Sequence, residues 1–293
     1  MVDRADRLAD LVRFHLVYRS SPGESMSKQR PTFYSKDLAL ASCLVASSAL
    51  PAGDRVFVCD GQLPEPRASQ VAGAGEVLQL KGVGNARSYR ACLGLVDTRT
   101  WDDEDVVYFA EDDYLYTPDA FVRLVDAVEA LPEAMYFTLY DHPDYYRMRL
   151  HRIFMARHCS RRQVGRVSWR DVRSTTLTYG ARVGALRADS WIHYLCSRAS
   201  TPGDFAIFSI VEGAGGCILP RLLKASVRPD ERSLVRKHLR RLLLRDLERH
   251  RLYALRPAAA THMETGMLAP SVDWAAVAAS YGYAPEGSAL GPR

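Results

Sequence analysis

"VVYFAEDDYLYTPDAF", residues 106–121, drives an apolar run into three consecutive carboxylates, Glu111, Asp112 and Asp113, followed by a proline-containing turn. A short apolar run bounded by turn residues is the pattern of a strand covered on both faces, so residues 106–110 read as a buried strand. Desolvated neighbouring carboxylates repel and cost several kcal/mol per ion unless a cation compensates. The triplet therefore either turns into water, with Thr117 or Asp119 capping a following helix, or holds a cation. Side chains alternate along extended chain, which puts Glu111 and Asp113 on one side and Asp112 on the other. Two carboxylates on one side suit Mg2+ or Mn2+, which take oxygen ligands and often use one or two carboxylates plus substrate phosphates.

Working outward, apolar runs alternate with helical stretches. "RFHLVYRS" (13–20) reads as a first strand and is followed by the polar loop "SPGESMSKQRPT". "SKDLALASCLVASSAL" reads as a helix capped by Ser35 and stopped by Pro51 and Gly53. "DRVFVCDG" (54–61) and "GEVLQLKG" read as two more strands, and "GNARSYRACLGLVDTR" as a helix leading into the strand of the triplet. Such alternation predicts parallel β-α-β units, an α/β fold with helices on both faces of the sheet. Ligands of open α/β sheets collect beyond the carboxyl ends of the strands. Arg19, Asp60 and the triplet are thus expected to share one crevice. The second half is less regular: a strand and loop in "EAMYFTLYDHPDYYR", a strand running into a helix in "STTLTYGARVGALRADSWIHYL", and a capped helix in "TPGDFAIFSIVEGAG".

Composition narrows the class. The 293 residues are 47% hydrophobic and 25% charged, which argues for a globular chain and against disorder. No leader-like segment and no long apolar run is present, and the simplest location is cytoplasmic. The six cysteines contain no C-x-x-C pair and several lie in apolar runs, so they read as buried thiols. The net charge of +5 is carried largely by arginine, whose forked guanidinium suits phosphates and carboxylates.

An "EDD" directly after an apolar strand resembles the D-x-D motif of nucleotide-sugar glycosyltransferases with the GT-A fold, and "YLYTPDAF" resembles the helix entry that follows it in family 2 enzymes. "FHLVYRS" is similar to that family's first strand, "VFVCDG" to its second, and "GVGNARSYRACLGL" to the segment before the metal strand. The resemblance implies a Rossmann-like, mainly parallel mixed sheet flanked by helices. It implies one domain over 1–293, with a nucleotide-sugar half (1–120) and an elaborated acceptor half (121–293). It further implies Mn2+ or Mg2+ on Asp113, helped by Glu111 or by His262 of "AATHMETGMLAP". Arg19, Asp60, Asn85, Arg87 and Asp112 would contact a nucleotide-sugar donor, foremost a UDP-sugar. "STPGDFAIFSIV" resembles the site of the catalytic carboxylate in inverting members, which makes Asp204 the base; its alternative is a helix N-cap. Glu111 stands where the family usually has Asp, and the glutamine- and arginine-rich signature of processive synthases is missing, so processive synthesis is not expected.

The segment between residues 140 and 180 is rich in Tyr, His, Trp and Arg, which makes Trp169 and Tyr179 candidate acceptor contacts, Tyr179 equally a core residue. Residues 232–253 carry a basic helical pattern, either a solvated amphipathic helix or a surface for a phosphate-bearing acceptor such as DNA, a modified DNA base or lipid. Two other classes compete: a nucleotidyltransferase, which "SSPGESMSKQRP" matches faintly as a phosphate loop, and a non-catalytic nucleic-acid-binding protein.

Overall fold

The structure, a computed structural model, describes residues 12–50, 53–149, 152, 159–198, 203–211 and 250–283. The strands are β1 (Phe14–Ser20), β2 (Arg55–Asp60), β3 (Glu76–Leu80), β4 (Val106–Glu111), β5 (Tyr114–Tyr116), β6 (Ala134–Thr138), β7 (Arg161–Val164), β8 (Val167–Val172), β9 (Tyr179–Arg182), β10 (Arg251–Arg256) and β11 (Ala260–His262). The helices are α1 (Lys36–Ser47), α2 (Arg67–Ala74), α3 (Asn85–Thr98), α4 (Ala120–Ala130), α5 (Asp144–Arg147), α6 (Val183–Cys196), α7 (Asp204–Ser209) and α8 (Trp274–Ser280).

Nine strands form one mixed sheet in the order β3-β2-β1-β4-β9-β6-β10-β8-β7, and β5 pairs with β11 in a separate two-stranded ribbon. β3, β2, β1 and β4 run parallel, as the alternation predicts. Antiparallel β9 then enters between β4 and β6, and the β7–β8 hairpin closes the far edge beside β10. The strand order reverses direction between β1 and β4, and the crevice outside the carboxyl ends at such a point is the usual ligand site of an α/β sheet.

Strand alternation divides the core into two layers. Leu16, Tyr18, Val106, Tyr108 and Ala110 face α1, α4 and α8, while Val17, Val107 and Phe109 face α3, α6 and α7. Ser35 does cap α1: its hydroxyl accepts from the amides of Asp37 and Leu38 at 3.1 and 3.4 Å, a contact of the kind that contributes about 1 kcal/mol. Asp119 occupies the cap position of α4 without capping it, because its carboxylate is taken by Thr117 and Arg123.

Two sequence expectations are corrected. The basic helix was drawn through residue 253, but Arg251–Arg256 is a strand inside the sheet; residues 232–249 lie outside the described residues. Trp169 and Tyr179 are fully buried. Trp169 faces the layer of α1 and α4, edge-on to Phe137, and Tyr179 faces the layer of α3 and α6, so neither offers a face to an acceptor. The five described cysteines form no disulfide, and burial pushes the Cys92 thiol to about 12, which keeps it a protonated packing group. Among the described residues no helix is long and apolar enough to cross a membrane.

Candidate active site

A cleft of about 580 Å3 opens at the carboxyl edge, lined by Arg19 and Ser20 from the end of β1, Asp60 from β2, Asn85 and Ser88 from α3, the acidic triplet, and Lys28, Arg30 and Lys36. The expected crevice is therefore formed. What the triplet holds inside it is protein cations, a different one for each carboxylate.

Glu111, the last residue of β4, pairs with the Arg19 guanidinium and accepts from Thr178 Oγ1 at 3.1 Å. Burial works against the Arg19 charge, but the neighbouring Glu111 carboxylate more than offsets it and raises its pKa. Arg19 also donates to the Asn85 carbonyl and Ser88 Oγ, both at 3.0 Å. Asp112 turns the other way, accepting from Ser20 Oγ and the Ser21 amide at 2.8 Å and pairing with Lys36 Nζ at 3.0 Å. Lys36 is almost wholly buried and also donates to the carbonyls of Ser21 and Gly23 at 2.8 and 2.6 Å. It thereby ties the loop after β1 to the triplet.

Asp113 meets its partners through one oxygen. Oδ2 lies 2.9 Å from Lys28 Nζ, 2.9 Å from His262 Nε2 and 3.3 Å from the Arg30 guanidinium. Burial would raise its pKa, but the hydrogen bond and charge of His262 and the charge of Lys28 outweigh it and hold the carboxyl well below the usual range. His262 arrives here through register: β11 pairs with β5 so that His262 lies opposite Tyr114, on whose ring the imidazole stacks at 5.3 Å. The Met263 amide then donates to the Asp113 carbonyl at 2.8 Å.

The alternation expected across the triplet does not hold, because β4 ends at Glu111 and residues 112 and 113 form a turn into β5. Glu111 accordingly does not meet Asp113 and His262; Arg19 and Thr178 use its oxygens. Among the described residues no three His, Cys, Asp or Glu side chains converge on a metal position. Asp113 and His262 nevertheless bring together an oxygen and an imidazole donor of the kinds a divalent ion takes, and Oδ2 and Nε2 lie 2.9 Å apart with a cation, the Lys28 ammonium, held against both.

Asp60 lines the cleft, but its two oxygens accept the amides of Val83 and Gly84 at 2.6 and 2.8 Å. Gly82 and Gly84 have φ of 68° and 85°, the left-handed region that favours glycine, so this tight loop and the Asp60 cap are built together. Arg87 is exposed on α3 and is not part of the lining, because Ala86 and Ser88 are the neighbours that face inward. Asp204 opens α7 and accepts its neighbour's amide, Phe205 N, at 2.6 Å. Burial first, with the charges of Glu111 and Asp144 adding, pushes its carboxyl up to about 6. Lys28, Arg30 and Lys36 were missed in the sequence; the signal was three cations in and just after the polar loop that follows β1.

No protein-family profile matches the chain, and no curated protein matches it. Among solved structures, it is similar to glucosyl-3-phosphoglycerate synthase from Mycobacterium tuberculosis in complex with Mn2+, uridine diphosphate and glucosyl-3-phosphoglycerate, with 12% identity over 83% of this chain and 84% of that one and a TM-score of 0.43. It is also similar to residues 1–349 of S. aureus TarS (11% identity, 68% and 54% covered, TM-score 0.45). A third is CMP:2-keto-3-deoxy-manno-octonic acid synthetase complexed with CTP (12% identity, 70% and 87% covered, TM-score 0.40). The chain spans 58% of a mycobacterial protein it matches and 63% of the synthase in complex with phosphoglyceric acid. Identity this low leaves function to be read from this chain's own residues.

Proposed function

We propose that this protein is a metal-dependent, inverting glycosyltransferase that moves a sugar from a nucleoside diphosphate donor, a UDP-sugar foremost, to an acceptor hydroxyl. One observation carries the proposal. Asp113 and His262, 149 residues apart in sequence, meet at 2.9 Å where the central strand opens into a cleft lined by paired cations and carboxylates at the strand-order reversal. Asp113 and His262 would hold the Mn2+ or Mg2+ ion. Such an ion would supply neutralisation of the charge that develops on the diphosphate leaving group. Arg19, Lys28 and Arg30, each now paired with a carboxylate of the triplet, are the hydrogen-bond donors the cleft would offer to a diphosphate. Asn85 and Ser88 border the side on which the nucleoside would lie. Asp204, raised toward neutrality and still ionised at pH 7, is suited to take the acceptor hydroxyl's proton as that oxygen attacks the anomeric carbon. The acceptor enters from the half built after α4, and neither Trp169 nor Tyr179 is retained for it.

A second reading is favoured by one feature: the loop after β1 and the start of α1 bring Lys28, Arg30 and Lys36 to the cleft, as a nucleotidyltransferase does for a nucleoside triphosphate. Release of UDP from a UDP-sugar supports the first reading, and release of pyrophosphate from a triphosphate the second. For the metal site, Asp113→Asn is expected to weaken Mn2+-dependent UDP binding by more than about 10²-fold in calorimetry, as loss of a direct ligand exceeds the roughly 10- to 100-fold cost of losing its supporting contacts. Undiminished affinity refutes the role.

A further inference from the structure

Three polar atoms meet in a way that hydrogen bonding cannot satisfy. Lys28 Nζ is 2.9 Å from Asp113 Oδ2 and 3.1 Å from His262 Nε2, and those two atoms are themselves 2.9 Å apart. If Nε2 carries a proton it donates to Asp113 and confronts the ammonium; if it carries a lone pair it accepts from Lys28 and confronts the carboxylate oxygen. In the second case both lone pairs point at one cation, which is the donor arrangement a divalent ion requires. Resting on the proposed metal site, we infer that Lys28 is a built-in stand-in for the divalent ion. Metal and ammonium compete for the seat between Asp113 and His262, and metal entry releases Lys28 to the donor's phosphates.

Lys28 differs from its two cationic neighbours in freedom. Lys36 is 4% exposed and holds two loop carbonyls besides Asp112. Arg30 donates to the Met263 carbonyl at 2.8 Å and its guanidinium lies 4.1 Å over the Tyr34 ring. Lys28 is 33% exposed, its ammonium touches, among the described residues, Asp113, His262 and, at 4.0 Å, Glu264, and it stands on the polar loop near the fully exposed Met26. A flexible four-carbon stem lets the ammonium swing without the backbone. Because Lys28 already lines the cleft, an ammonium expelled by a doubly charged ion stays where phosphates would bind. The device keeps the carboxylate compensated before metal and donor arrive, and makes their binding mutually supportive.

Mn2+ binding followed by electron paramagnetic resonance, first alone and then with UDP, tests this on the full chain. Lys28→Met is expected to bind Mn2+ alone about tenfold more tightly than the unaltered protein, the effect of removing roughly 1.4 kcal/mol of competing charge. In the same variant UDP affinity at saturating Mn2+ is expected to fall several-fold. A lysine with a merely structural role would weaken both or neither. Mn2+ affinity that is unchanged or weaker in Lys28→Met overturns the inference, and leaves the proposed function standing if UDP binding still requires Mn2+ and Asp113. Failure of both proteins to bind Mn2+, with or without UDP, overturns both. Arg162→Ala, on the far edge strand β7, is the control expected to change neither affinity.

Discussion

Two polar clusters flank the central strands, and they are built from opposite materials. At the carboxyl edge, Arg19, Lys36 and Lys28 face Glu111, Asp112 and Asp113, so the cluster is made of formal charges beside an open cleft. Inside the layer of α3 and α6, Tyr89, Tyr179 and His193 form a cluster of neutral groups, and Tyr136 joins it to the Asp189 carboxylate, to which it donates at 2.8 Å. Tyr89 Oη lies 2.8 Å from both Tyr179 Oη and His193 Nδ1. Burial drives the His193 pKa down to about 3, so the imidazole stays uncharged at neutral pH. The contrast shows what each place demands: beside water, a charge pair can exchange one partner for a ligand, while a buried charge such as Asp141 must keep its protein partner, here Arg170. Asp204 belongs to neither cluster. Among the described residues no cation pairs with it, and its pKa rises accordingly.

The sharpest way to exploit that difference is Asp204→Asn. Turnover is expected to fall by about 10²- to 10⁴-fold, the range of a lost general base, with donor binding intact. A base must be unprotonated, so the rate of the unaltered enzyme is expected to drop about tenfold per pH unit below about 6; a pH-rate profile that is flat from 5 to 7 assigns the proton to another group. Next in size is Lys36→Met, which leaves the Asp112 charge and two loop carbonyls without their ammonium. Chemical denaturation is expected to show a loss of about 3 kcal/mol, and a loss under 1 kcal/mol would mean that water substitutes for it. Smallest is Tyr179→Phe in the neutral cluster, expected to cost about 1 kcal/mol of stability for the buried hydroxyl's contacts with Tyr89 and His193 while leaving the acceptor's KM unchanged. A raised acceptor KM would restore Tyr179 as an acceptor contact.

Local pattern made the first half of the fold legible. Apolar runs with flanking turn residues located β1, β2, β3 and β4, and Ser35 marked the start of α1 because capping is a contact between near neighbours. The order of strands was not legible, since nothing in Tyr179–Arg182 says that β9 enters antiparallel between β4 and β6. The same limit governs the site. Arg19, Asp60 and the triplet were found because strand ends converge, but the partners of the carboxylates depend on tertiary contacts. Asp113 and His262 are joined by two three-residue strands too short to carry a periodic signal. Trp169 misled because aromatic richness is shared by sugar-binding surfaces and cores, and only its place on the inward face of β8 decides between them.

The reversed course of β9 has one more effect. A strand that descends among ascending neighbours offers its beginning, not its end, at the rim where they finish, so the chain that leads into it meets the end of β4. Thr178 is the visible instance, arriving just ahead of β9 to donate to Glu111, while Thr176 accepts from Tyr114 of β5. Exchanging residues 173–178 would therefore act on the acidic triplet from the side opposite the loop after β1.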